Sequence, residues 1–186
     1  MGDPKADKSD LMLLLLYASD HTGKYAAPMR GITRLEKLMF LLNMEGRLTS
    51  VAEPYEFEPY KFGPFSSEVY DVLEALRGWE LVDVQHRKIT DYYEAAEVER
   101  LDENLSDEEE DLPTTEENER SAVQEKIITL TDRGKRLAKM LTDKLSAEDW
   151  QALTRIKQKY GALSLRHLIA YVYQTYPKYA IKSELV

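Results

Sequence analysis

The chain has 186 residues, no cysteine and a formal net charge of −9, with 43% hydrophobic and 32% charged side chains. That length holds one good core with a small appendage, and that composition suits a globular protein. The absence of cysteine excludes disulfides, thiolate catalysis and cysteine metal sites, and it fits a cytoplasmic setting.

Residues 1–8 read as a loose polar terminus. Asp3, Asp7 and Asp10 stand where a signal peptide needs basic residues, and Ala6 stands where a myristoylation motif after Met1-Gly2 needs Ser or Thr. Ser9 or Asp10 is expected to cap a first helix running through Ser19. Its apolar run, Leu11 to Ala18, is far too short to cross a bilayer, so no membrane role is expected, and its all-round apolar surface predicts burial. His21 to Gly31 reads as a loop. Thr33 to Glu45 reads as a second helix, with Leu35, Leu38, Met39 and Leu42 inward, Arg34, Glu36 and Lys37 outward, and Gly46 ending it.

The stretch from Tyr55 to Val84 organises the rest. Phe57 between Glu56 and Glu58 starts a strand that Pro59 limits, and Gly63-Pro64 marks a turn. Ser66 or Ser67 can cap a third helix through Gly78, with Val69, Val72, Leu73 and Leu76 inward and Glu68, Asp71 and Glu74 toward water. Leu81 to Val84 and Ile127 to Leu130 read as strands separated by an insert at 88–125. Between Leu101 and Arg120 that insert has ten acidic residues against Arg120 alone; the rest of the chain has equal numbers of acidic and basic side chains. The charge total therefore neither suggests nor vetoes a nucleic-acid partner. Thr131, Ser146 and Ser164 are each placed to cap a further helix, the last ending at Pro177.

Turn, short helix, glycine and strand, followed by a second strand and a helix, predict an α+β, mostly helical chain: a winged helix-turn-helix domain at 9–145, with an acidic wing insert at 88–125 and a C-terminal helical appendage at 146–186. Such a domain reads duplex DNA by laying its third helix in the major groove, where Arg, Lys, Asn or Gln must reach bases and phosphates. The outward positions here are Ser67, Glu68, Asp71, Glu74 and Arg77, and phosphates repel carboxylates. A basic edge lies elsewhere, at Lys24, Arg30, Arg34, Lys37 and Lys61 with Tyr25 and Tyr60 interleaved; it suits phosphates or an acidic protein, and the bland alternative is scattered solubilising charge. Tyr160, Tyr171, Tyr173, Tyr176 and Tyr179 read as core-edge packing, with pairing of two copies through the last helices as the alternative. His21, His86 and His167 show no ligand spacing, and no phosphate-cradling loop or nucleophile motif is present, so neither a metal, a cofactor nor an enzymatic activity is expected.

RLEKLMFLL at 34–42 followed by YKFGPFSSEVY at 60–70 resembles the SocA-like family, also called Panacea, of phage-associated proteins and antitoxins. Leu35, Lys37, Leu38, Phe40, Gly63, Pro64, Val69 and Tyr70 are the matching positions. Glu36 stands where that family usually has glutamine, and Tyr60-Lys61-Phe62 where it often has an Ala-Trp pair. The whole chain is also similar to related archaeal and bacterial winged-helix proteins. The resemblance implies a domain that is a protein-binding adaptor as much as a DNA reader.

Two functions are thus expected. One is a DNA-binding transcriptional regulator contacting duplex DNA through Lys24, Tyr25, Arg30, Arg34, Lys37, Tyr60, Lys61, Ser67, Tyr70 and Arg77. The other is an antitoxin-like or defence-associated interaction module that does not bind DNA. It is motivated by the acidic third helix, the acidic wing tip as a DNA mimic or lure for basic partners, and the resemblance, with the same residues as partner contacts.

Overall fold

The computed structural model describes residues 5–90 and 124–182. The acidic stretch 101–120, and with it most of the expected wing insert, lies outside the described residues. The chain is α+β. Six described α-helices, α1 (Lys8–Tyr17), α2 (Ile32–Glu45), α3 (Ser67–Gly78), α4 (Asp132–Leu141), α5 (Ala147–Gly161) and α6 (Leu165–Thr175), accompany five strands. These are β1 (Met29–Arg30), β2 (Glu58–Tyr60), β3 (Gly63–Phe65), β4 (Val82–Lys88) and β5 (Gln124–Leu130).

Helix α1 forms the centre of the core because it has no polar side: Leu11 to Leu16 are all buried. Its cap is Asp7, not Ser9 or Asp10. Asp7 accepts from the Asp10 amide at 2.8 Å, and Asp10 accepts from the Asp7 amide at 3.2 Å, which satisfies two orphan donors reciprocally. The other end of α1 is closed by Lys157 of α5, whose Nζ donates to the carbonyls of Leu16 at 2.8 Å and Ala18 at 2.6 Å.

An antiparallel three-stranded sheet, in the order β1-β5-β4, covers one side of this core. The β4–β5 pairing runs from Val82↔Leu130 to Lys88↔Gln124, so both strands extend beyond the expected 81–84 and 127–130 into the insert. The chain leaves α3 through Glu80, which is left-handed at φ +58°, after the helix has continued through Gly78. The helix thus ends at Gly78, as expected, and the Leu81 amide then donates to Leu76 O at 2.9 Å. Between α2 and α3, β2 and β3 form a two-stranded hairpin that places Pro59 opposite Pro64. There the missing proline N–H groups cost no central ladder bond.

Thr131, Ser146 and Ser164 cap α4, α5 and α6 as expected, each accepting a backbone N–H with its hydroxyl. Asp149, buried in the first turn of α5, accepts the amides of Thr49 at 2.9 Å and Ser50 at 2.6 Å. Burial raises its pKa, but these hydrogen bonds outweigh it and hold the carboxyl below the usual range. Helices α5 and α6 lie against α2, and the C-terminal tyrosines close the seam. Glu45, at the end of α2, accepts from the hydroxyls of Tyr160 at 2.5 Å, Tyr171 at 2.8 Å and Tyr176 at 3.0 Å. No helix among the described residues is long and apolar enough to cross a membrane.

Candidate protein-interaction surface

Helix α3 is fixed at its start by a buried charged pair on α2. Lys37 and Glu36 are each 1% exposed. Lys37 Nζ lies 2.7 Å from Glu36 Oε2 and donates to Pro64 O at 2.8 Å, while Glu36 Oε1 accepts the Ser66 amide at 3.1 Å. Two charges can stay inside a core only when paired and hydrogen-bonded, and here the remaining bonds go to the β3–α3 turn. The expected outward placement of Lys37 and Glu36 is therefore corrected. The β3–α3 turn brings them the polar partners that water would otherwise supply.

Glu68, expected to face water, is also held. It pairs with Lys8 and accepts the Glu56 amide at 2.8 Å. Burial raises the Glu68 pKa, and the bonds from Glu56 and Lys8 outweigh it, leaving the carboxyl lower than usual. Tyr55 completes this corner by donating its hydroxyl to Lys8 O at 2.6 Å, and its burial drives the phenol pKa upward.

The expected basic edge is largely engaged inside the fold. Arg30 pairs with Glu125, with Nη2 and Oε2 3.1 Å apart, and the same carboxylate takes Arg87 from β4 at 3.1 Å. Arg34 donates to Leu163 O at 2.6 Å and to Gly161 O at 3.4 Å, tying α2 to the α5–α6 turn. Lys61 is half-buried in the β2–β3 turn. Lys24 is exposed next to Tyr25, which is 54% exposed with its ring 5.5 Å from Tyr17. Tyr60 rests on Phe65 at 5.0 Å, and Phe65 in turn lies 5.5 Å from Tyr70, which is half-buried. Of the ten expected contact residues, Lys37 is thus buried, and Arg30 and Arg34 are engaged by other parts of the fold.

What remains outward on α3 is a stripe at Ser67, Asp71, Glu74 and Gly78, spaced by three and four residues. Arg77 is exposed beside it, its Nη1 3.7 Å from Glu74. The stripe ends at Trp79, which is 54% exposed and followed by exposed Glu80. This surface combines carboxylates with a solvent-facing indole, the type of side chain that anchors protein interfaces. It repels phosphate. Sequence reasoning missed Trp79; the signal was an indole just past the end of an amphipathic helix, where no inward position is left for it. His21, His86 and His167 are all exposed, and no group of metal-binding side chains comes together among the described residues.

A family model described as antitoxin SocA-like, Panacea domain, matches residues 35–177. No curated protein and no solved structure matches the chain.

Proposed function

Because the chain belongs to the antitoxin SocA-like, Panacea domain family, we propose that it acts as an antitoxin-like interaction module that binds a protein partner and not duplex DNA. The observation that carries this reading is the extent of the match, which runs from α2 past the end of α6. The surface chemistry supports it. Asp71 and Glu74 face outward on α3 beside Trp79, a combination suited to a partner that presents cations around an apolar contact.

We also read the domain as a winged helix, with α3 as the third helix and β4–β5 as the wing. The order α1-β1-α2, then the β2–β3 hairpin, then α3-β4-β5, and the sheet order β1-β5-β4 support this. A DNA-binding regulator is the other use of such a scaffold. It calls for cations on the reading surface, whereas Lys37 is buried, Arg30 is paired and Arg34 is bonded to backbone.

The test is co-expression with the product of the neighbouring open reading frame, read as growth. Growth arrested by the neighbour and restored by this chain, but not by Asp71→Lys/Glu74→Lys at equal soluble level, supports the proposal. Restoration that survives the double reversal overturns the role of α3. A neighbour that never affects growth, together with salt-sensitive duplex binding by this chain, overturns the function.

A further inference from the structure

A second surface feature is independent of that reading. The end of α2 and the outer face of α5 enclose an open cleft of about 540 Å³, inside the range of roughly 300–1,000 Å³ for small-ligand sites. Arg47, Arg155 and Lys159 line it against one carboxylate, Glu45. Arg155 and Lys159 stand one helical turn apart on α5, so both side chains reach the same side.

We propose that this cleft binds an organic oxyanion, a carboxylate or phosphate group carried on an apolar body. Glu45 offsets one of the three cations, which leaves the cleft with an excess of two positive charges. Both oxygens of Glu45 are occupied by the three tyrosine hydroxyls. Lys159 donates to the Tyr160 hydroxyl at 2.8 Å and lies 4.5 Å over that ring, so a hydroxyl and a ring face position it. The Arg47 and Arg155 side chains form no ion pair among the described residues. Arg47 is also held in the left-handed region at φ +50°, a conformation glycine takes readily and arginine rarely. It stands just past the end of α2, where a helix-closing residue takes this conformation, as Glu80 does after α3.

Two guanidinium forks and an ammonium fit an oxyanion, because each fork can offer it two parallel N–H donors. The apolar body has its seat on Met44, which is 37% exposed at the rim, above the buried Ile156.

The test is an amide-shift NMR titration of the ¹⁵N-labelled full chain with phenyl phosphate, 4-phenylbutyrate and inorganic phosphate. The expected result is saturable shifts at residues 44–47 and 155–159 with either organic anion, and weaker binding of inorganic phosphate. Arg155→Gln and Arg47→Gly should each weaken binding about tenfold, the loss of one charge-assisted contact. Neither variant threatens the fold, since Arg155 is exposed and glycine relieves the backbone at position 47. No saturable shift with either organic anion, or shifts unchanged in both variants, would overturn the site. Inorganic phosphate binding as tightly as phenyl phosphate would overturn the apolar seat.

Discussion

Lys37 Nζ donates to the Pro64 carbonyl at 2.8 Å inside the core. That contact links the two sequence stretches that carry the family resemblance, the middle of α2 and the Gly-Pro turn, across 27 positions of chain. With Glu36 accepting the Ser66 amide, it sets where α3 begins. The residues that mark the family are thus architectural, and the surface available to a partner lies on the helix they position.

Lys37→Ala should accordingly be severe. It leaves the Glu36 carboxylate buried without its counter-charge, which costs about 3–5 kcal/mol. Replacing both, as Glu36→Gln with Lys37→Met, should recover most of that loss, because no unpaired charge then remains. Urea-unfolding midpoints of the single and double variants check this; a double variant no better than the single would show that the hydrogen bonds dominate the pair.

Lys157 gives a pH signature. Burial lowers its pKa from 10.5 to about 8 against a smaller upward pull from Asp20. A neutral amine still has two N–H groups for Leu16 O and Ala18 O. Between pH 8 and 10.5 the unfolded chain therefore binds more protons than the folded one, and stability rises with pH from this group. The stability difference between wild type and Lys157→Met should move in favour of wild type from pH 8 to 10, by about 1.4 kcal/mol per pH unit at most. A difference that stays flat over that window would contradict it.

Gly63 serves a turn and a close approach together. It has φ +94°, and a Cβ there would stand 2.7 Å from the Tyr173 ring. Gly63→Ala should cost about 2–4 kcal/mol, the sum of backbone strain and displacement of the ring. Gly23, at φ +81° with nothing within 4 Å, isolates the backbone share, and Gly23→Ala should cost about 1 kcal/mol. Thermal unfolding of the two variants separates the contributions.

Local signals carried much of the fold. Thr131, Ser146 and Ser164 announced three helices, and the spacing of Val69, Leu73 and Leu76 gave the inward face of α3. What the sequence hid was long-range polar pairing. Nothing near Lys37 announces Pro64, and nothing near Glu45 announces tyrosines more than 100 positions away. Arg30 and Arg34 read as surface cations because Glu125 and the Leu163 carbonyl become their neighbours only in the folded chain. Residues 85–88, Gln-His-Arg-Lys, are exposed along β4, so no inward–outward alternation marked the strand's extension.

On the proposed function, the chain meets a protein partner with the carboxylates of α3 and does not read duplex phosphates with Arg30, Arg34 or Lys37. Fluorescence anisotropy of a random-sequence DNA duplex titrated with the full chain, at low and at physiological salt, tests it most directly. No rise in anisotropy is expected at either salt concentration. Binding at low salt that falls steeply with added salt and is abolished by Arg34→Glu would contradict it, since phosphate neutralisation by that edge would then drive recognition.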